Sequence, residues 1–146
     1  MNELEALYNE LIMEHSMNSP YKHKLMKYDF SAKGHNPSCG DEITLEVMLE
    51  DGILKEMAFL GHGCAISQSS TSIMIETLTG KTVEEAKELV SLFIGMIKRE
   101  LSDGADIESL EDAIAFQNVS NMPARVKCAL LAWNTLNQYL DTLNKE

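Results

Sequence analysis

The chain is poor in positive charge and in cysteine, and each scarcity excludes a class of protein. It has 12 Lys and Arg residues against 23 Asp and Glu residues, a formal net charge of −11 that repels phosphate backbones and anionic lipids. We therefore expect no nucleic-acid partner and no membrane partner. The three cysteines are an odd number and show no CxxC spacing, which argues against a disulfide framework and a zinc ribbon.

Long apolar runs and a targeting signal are also missing. No stretch approaches the ~20 apolar residues that cross a bilayer, and the acidic residues 1–5 lack the basic start of a signal peptide. We expect a cytoplasmic protein whose thiols stay reduced. With 146 residues, of which 45% are apolar, the chain suits a single domain over residues 1–146.

Five helices are predicted from apolar residues at helical spacing and from the residues that begin and end helices. They cover residues 3–17, 65–79, 83–99, 109–115 and 123–143. Thr82 and Glu85 form a capping box that opens the third helix, Ser109 caps the fourth, and Pro123 suits the first turn of the last. The acidic residues 102–108 are predicted to form a loop.

Three strands are predicted from the alternation of apolar and polar residues. They cover residues 26–30, 43–49 and 53–61, with a loop at residues 33–37. Asp51-Gly52 predicts a hairpin turn between the last two strands, because glycine tolerates a positive φ. The hairpin brings its two ends together, so Cys39 and Asp41 are expected to lie near Cys64.

Each cysteine lies in its own short signature, which predicts a common site. The signatures are Asn-Pro-Ser-Cys-Gly-Asp at 36–41, Gly-His-Gly-Cys-Ala-Ile-Ser at 61–67 and Pro-Ala-Arg-Val-Lys-Cys-Ala at 123–129. Cys64 lies at the start of one predicted helix and Cys128 in the first turns of another, and the positive ends of helices favour the thiolate. Three thiolates and the carboxylate of Asp41 satisfy a tetrahedral Zn²⁺, and the same sulfurs suit an iron–sulfur cluster. The alternative is that each cysteine is a small buried apolar residue.

Other polar residues near the signatures have competing interpretations. His35 and His62 are rival ligands, and both also suit loop positions. Arg125 precedes Cys128 by one helical turn, so it either stabilises a thiolate or persulfide or forms a surface salt bridge. His15 and His23 have no ligand context and are assigned to the surface or to a helix end. The core is predicted to include Trp133, Met74, Met96 and Met122.

Together, the three signatures resemble those of the U-type iron–sulfur assembly family, the IscU/NifU N-terminal domain group. The resemblance implies an α+β fold in which a small three-stranded antiparallel sheet packs against about five helices, with the cysteines clustered at one exposed end. Lys127 stands where many members have histidine, and the stretch between Cys64 and Cys128 is long. Both departures resemble the SufU branch.

That resemblance also implies a ligand set, partners and a function. In the SufU branch, Cys39, Asp41, Cys64 and Cys128 would bind Zn²⁺. The protein would be a zinc-dependent sulfurtransferase that accepts sulfur on Cys39 from a PLP-dependent, SufS-like cysteine desulfurase, with Arg125 steadying the anion. It would pass the sulfur to downstream cluster-assembly or apo-iron–sulfur proteins.

Two alternatives stay open. In the first, Cys39, Cys64 and Cys128 hold a transient [2Fe–2S] cluster on a scaffold protein. In the second, the zinc site is purely structural and carries out no sulfur chemistry.

Overall fold

Three consecutive strands form one antiparallel sheet in the computed structural model of this protein, which describes residues 3–38 and 40–143 except for the side chain of Leu4. The strands are β1 (Phe30–Asn36), β2 (Asp41–Glu50) and β3 (Ile53–His62), in the order β1-β2-β3. The α-helices are α1 (Glu3–Met17), α2 (Ala65–Leu78), α3 (Val83–Lys98) and α4 (Pro123–Thr142). A 3-10 segment, Ile107–Asn121, is the fifth helical element, so the expected α+β architecture is confirmed.

The β2–β3 hairpin forms as its sequence pattern predicts, and it aligns the two ends that carry the site. Its turn has the positive φ values of 54° at Asp51 and 78° at Gly52 that a tight hairpin requires. The register then places Glu42 of β2 opposite His62 of β3. The beginning of β2 and the end of β3 therefore lie side by side.

The first strand is not where the local pattern predicts it. Met26 and Tyr28 are exposed and lie outside the sheet, whereas β1 covers the residues predicted as a loop. Pairing with β2 determines this strand, since Phe30 through Asn36 lie opposite Val47 through Asp41. Gly34, read as a loop residue, instead allows α4 to approach, because a Cβ there would collide with the Thr135 hydroxyl.

Helices α2, α3 and α4 pack around buried aromatic rings. Trp133 stacks on Phe93 with ring centroids 3.9 Å apart, and its indole N–H donates to Ser70 Oγ at 3.0 Å. Ser70 Oγ in turn donates to the carbonyl of Ala129 at 2.6 Å, so this small polar residue permits close helix contact. Trp133 is in the core as expected, as are Met74 and Met96, but Met122 is 40% exposed because it precedes the first turn of α4.

The segment after α3 differs in kind from the predicted helix at 109–115. Ser109 Oγ donates to the carbonyl of Asp106, so it does not cap a helix in the predicted manner. Buried residues recur every third position, which matches the three residues per turn of a 3-10 helix. They are Leu110, Ala113, Phe116 and Val119. Glu111, with φ 53° and ψ −125°, interrupts the segment.

A buried cluster of polar side chains connects the end of α1 to α2. His15, expected at the surface or a helix end, is buried, and its Nδ1 lies 2.7 Å from Ser72 Oγ. The hydroxyl of Ser19 lies 2.6 Å from the same oxygen, and His15 Nε2 lies 3.8 Å from Glu76 Oε2. No helix within residues 3–38 and 40–143 has both the length and the apolar character needed to cross a membrane.

Replacing Glu76 with glutamine is expected to stabilise the protein at pH 7 and not at pH 4. Burial raises the pKa of Glu76 above its ordinary 4.5, while His15 lowers it and Asp112 raises it. The folded state therefore favours the protonated carboxyl of Glu76. The stability that Glu76 contributes is fully present at a pH below its pKa in the unfolded chain, and it is lost as the pH rises through its pKa in the folded protein. The side chain is partly exposed, so we expect a gain of at most about 0.5 kcal/mol. Urea unfolding at both pH values measures the gain, and an equal gain at both would contradict the prediction.

Candidate metal centre

Three potential metal ligands from distant parts of the chain converge at one end of the sheet. Asp41 is the first residue of β2, Cys64 directly precedes α2, and Cys128 lies in α4. One ligand atom of each lies within 4.8 Å of the others. The convergence of Cys64 and Cys128 with Asp41 is therefore confirmed. Cys39 lies outside the described residues, and its place at the centre stays a prediction.

The backbone around Cys64 is built to hold Asp41. The Cys64 N–H donates to Asp41 Oδ1 at 2.9 Å, and Cys64 Sγ accepts the N–H of Ser67 at 3.4 Å, which caps α2. Glycine at position 63 allows this close approach, because a Cβ there would collide with Asp41 Oδ1 and Ser67 Oγ. The predicted position of Cys64 at a helix N-terminus is confirmed.

Cys128 receives its hydrogen bond from a side chain that the sequence did not single out as functional. It is fully buried in the second turn of α4, where the Nδ2 of Asn36 donates to Sγ at 3.8 Å. Asn36 is itself buried and lies opposite Asp41 in the sheet register. The sequence signal for this contact is that Asn36 opens the first cysteine signature.

One carboxylate oxygen points to a cation at this centre. Asp41 is fully buried, and its Oδ2 has no hydrogen-bond partner in the part of the chain that the structure describes. An unsatisfied buried polar group costs about 1–3 kcal/mol, a cost that a bound cation removes. Two thiols and a carboxylate are donors that Zn²⁺ accepts in tetrahedral sites, so the residues present fit the ion.

The two histidines proposed as rival ligands lie outside this cluster. His62 is exposed, and its Nε2 lies 3.7 Å from Glu42 Oε2. His35 is exposed on β1, opposite Glu42 in the sheet register. The only group of three or more potential ligands among residues 3–38 and 40–143 is Asp41, Cys64 and Cys128.

Arg125 lies one helical turn before Cys128 in α4, close to this centre. Its side chain is exposed in the first turn of α4. Burial raises the pKa of the Tyr8 phenol, the Arg125 guanidinium lowers it, and the Cys64 thiol raises it. Tyr8 is therefore within electrostatic reach of both groups, although the sequence indicated only an apolar helix face. The role of Arg125 toward a thiolate or persulfide stays a prediction.

Comparison with known families shows to which family the chain belongs. The sequence profile of the family described as "NifU-like N terminal domain" matches residues 7–142. This chain belongs to that family. The match runs from the first helix to the end of the last, so the resemblance carried by the three cysteine signatures is confirmed.

Family members with curated names are similar over almost their whole length. The "Iron-sulfur cluster assembly scaffold protein IscU" of Thermotoga maritima is 37% identical over 141 residues, which cover 97% of this chain and 97% of that protein. The "Zinc-dependent sulfurtransferase SufU" of Bacillus subtilis is 36% identical over 136 residues, which cover 92% of this chain and 90% of that protein. The protein is thus a member of the IscU/SufU group of iron–sulfur cluster assembly proteins.

Solved structures of the family have the same fold. The crystal structure of FiSufU from Fervidobacterium islandicum AW-1, described as a "Putative iron-sulfur cluster assembly scaffold protein for SUF system", has a TM-score of 0.84 at 39% identity. The match covers 93% of this chain and 98% of that chain. A NifU-like N-terminal protein from Brucella abortus has a TM-score of 0.81, with 99% of each chain covered. Because its sequence is only 23% identical, this likeness is evidence for the shared fold and not for a shared function.

Replacing Asp41 with asparagine is expected to stabilise the metal-free protein and to weaken its hold on zinc. Asparagine keeps an oxygen acceptor for the Cys64 N–H but removes the buried negative charge. We expect a gain of about 1 kcal/mol in the free energy of unfolding without metal, and a zinc affinity at least about tenfold lower. Urea unfolding of chelator-treated protein and competition with a chromophoric chelator measure the two effects. A loss of stability without metal would contradict this account.

Proposed function

We propose that this protein is a zinc-dependent sulfur acceptor that takes persulfide sulfur from a PLP-dependent cysteine desulfurase. The observation that carries the proposal is the cluster of Asp41, Cys64 and Cys128, in which one carboxylate oxygen has no donor among residues 3–38 and 40–143. The SufU of B. subtilis, named a zinc-dependent sulfurtransferase, is similar over 92% of this chain. Lys127, in place of the histidine that the family resemblance leads us to expect, supports the same assignment.

The proposed ligands of Zn²⁺ are Cys39, Asp41, Cys64 and Cys128. When bound, the ion would hold the sulfurs as thiolates at neutral pH. The chain itself keeps Asp41 and Cys128 buried, whereas Pro37, Ser38 and Gly40, which flank Cys39, are exposed. A partner protein therefore has access to the residues on both sides of Cys39, while Asp41 and Cys128 stay buried.

The proposed transfer moves one sulfur atom without net oxidation or reduction. The thiolate of Cys39 attacks the terminal sulfur of the persulfide on the desulfurase. A new S–S bond forms on Cys39 as the bond to the donor cysteine breaks, and the donor leaves as a thiolate with the electron pair. Arg125, close to the centre, would stabilise the negative charge of the persulfide on Cys39.

The test is alanine production by a SufS-type desulfurase, with and without the zinc-loaded protein. We expect acceleration of about tenfold or more, and trapping followed by mass spectrometry should find one added sulfur atom on Cys39. Cys39→Ala should abolish the acceleration and Arg125→Ala should reduce it, while Arg99→Ala is the matched control at the end of α3, where Arg99 Nη1 contacts Asn121. No acceleration, or full acceleration by Cys39→Ala, would reject the proposal and leave a structural zinc site.

A second candidate function is a scaffold on which a transient [2Fe–2S] cluster is built and then passed to apo-proteins. The T. maritima relative, named a scaffold protein, favours it at 37% identity. Cys39, Cys64 and Cys128 would then bind the cluster as cargo, since thiolate sulfur is its usual ligand. Anaerobic reconstitution with iron and sulfide, followed by transfer to an apo-ferredoxin, tests this function. A colourless product that keeps its zinc would reject it.

A further inference from the structure

A groove beside the metal centre carries positive charge although the protein as a whole is strongly acidic. It lies between β1 and α4, has a volume of about 570 Å³, and continues to the end of α3. Lys33, His35, Lys98 and Lys127 line it, and none of its described lining residues is Asp or Glu. Three of the 12 Lys and Arg residues of a chain with net charge −11 thus surround one groove.

The positive charge of this groove is little neutralised by the protein itself. Lys33 Nζ lies 4.0 Å from Glu42 Oε1, but its side chain is 73% exposed, and Glu42 also lies near His62. Within the described ranges, neither Lys98 nor Lys127 has a carboxylate oxygen within 4.0 Å. Charges that lack an internal partner are available to an anionic ligand.

The shape and the apolar lining of the groove favour an extended peptide over a small ion. Its α4 wall runs from Val126 to Gln138, a length of about 18 Å that about five extended residues would span. Leu130 and Leu131 add apolar surface to this wall. The opposite wall is β1, an edge strand that has no strand partner on its outer side among the residues described. Edge strands and apolar pockets are the features by which proteins recognise extended segments.

The groove borders the candidate metal centre. Asn36 lines the groove and also donates to Cys128 Sγ, and Lys127 precedes Cys128 in the chain. A segment bound in the groove would therefore lie close to Cys128, separated from its buried sulfur by Asn36.

We infer that this groove binds an extended segment of a partner protein in which acidic residues alternate with apolar ones. Lysines at the rim would pair with the carboxylates, while Val126, Leu130 and Leu131 would contact the apolar side chains. The binding of this partner does not depend on the proposed function. The exchange of sulfur or of a cluster between this partner and the centre does rest on the proposed function.

The test uses a fluorescent ten-residue peptide in which Glu alternates with Val, titrated with the zinc-loaded full chain. A matched peptide carries Gln in place of Glu. We expect a Kd of about 10–100 µM for the Glu peptide at low salt, and binding at least about tenfold weaker for the Gln peptide. Raising the salt concentration to 0.5 M should weaken binding of the Glu peptide by a similar factor. Equal binding of the two peptides, or no binding, would overturn the inference.

Two charge-reversal variants of equal net charge locate the binding. Lys33→Glu/Lys98→Glu changes the groove, whereas Lys24→Glu/Lys27→Glu changes two exposed lysines outside it. We expect the first variant to lose at least about tenfold in affinity and the second to bind nearly as the unchanged protein does. Zinc content and circular dichroism verify that both variants are folded. Equal losses in both variants would overturn the inference.

Two further probes distinguish other occupants of the groove. The first probe is tripolyphosphate. If it competes with the Glu peptide at equal affinity, the groove is a phosphate site and the peptide assignment is overturned. A second peptide has the sequence of residues 101–112, the acidic segment of this chain. If it binds as tightly as the Glu peptide, the occupant is a second copy of this chain and the assignment to a partner protein is overturned. Because no probe uses a desulfurase, a failed sulfur-transfer assay with intact peptide binding would reject the proposed function and leave the groove assignment in place.

Discussion

Replacing Cys64 with serine is expected to remove tightly held zinc while leaving the fold intact. Cys64 caps α2 by accepting the Ser67 N–H, and serine performs that capping role at least as well. A neutral hydroxyl is a far poorer zinc ligand than a thiolate. After chelator treatment we expect the metal content to fall from about one zinc per chain to below about 0.1, as measured by metal analysis of the purified protein.

The neighbouring histidine provides a matched control for the Cys64 variant. His62 is two residues away and exposed, and it contacts Glu42 rather than the cluster. His62→Ala should therefore retain its full zinc content through the same chelator treatment. Full retention of zinc by Cys64→Ser, or its loss from His62→Ala, would show that the ligand set is wrong.

The substitution Gly63→Ala is expected to damage the metal centre without removing any ligand. A Cβ at this position would collide with Asp41 Oδ1 and Ser67 Oγ, so the Asp41 carboxylate must shift away from the position in which it accepts the Cys64 N–H. We expect the zinc affinity to fall by about 10–100-fold, the range found when groups that orient metal ligands are lost. A loss of about 1–3 kcal/mol in the free energy of unfolding should accompany it.

A glycine far from the centre separates this effect from backbone strain. Gly104 has a φ of +84°, and a Cβ there would meet no atom within 4 Å. Gly104→Ala should therefore lose about 1 kcal/mol of stability and keep its zinc affinity. Chelator competition and urea unfolding of both variants measure the difference. Unchanged zinc affinity in Gly63→Ala would mean that the contact between Cys64 and Asp41 does not organise the centre.

Local patterns predicted the elements whose stability is local. Regular alternation and an Asp-Gly turn specify the β2–β3 hairpin, and the reciprocal hydrogen bonds of Thr82 and Glu85 begin α3. The hairpin also explains why Asp41 and Cys64 could be paired from the sequence, since a tight turn brings the start of β2 beside the end of β3. A bulge between Met48 and Leu49 shifts the register by one residue without separating those two ends. The 3-10 segment was predicted only as a short helix at 109–115, although its period of three was visible in the positions of Leu110, Ala113 and Phe116.

Distant contacts decided the elements that the sequence misplaced. The alternation of Met26 and Tyr28 has no partner strand, whereas the residues of β1 pair along their whole length with β2. The donor to Cys128 likewise comes from Asn36, which reaches the sulfur only because β1 and α4 pack together. Neither contact follows from a local pattern, because each depends on residues far apart in the chain.

By itself, the sequence determined the family, the hairpin and the types of residue that hold the proposed metal, because these depend on side-chain chemistry and short-range periodicity. Only the tertiary structure decided that Cys128 meets Asp41 and Cys64, that one oxygen of Asp41 lacks a donor within the described part of the chain, and that three lysines surround a single groove. Those features arise from the packing of α4 against the sheet, and the enclosed volume, burial and charge that result are properties of the folded chain.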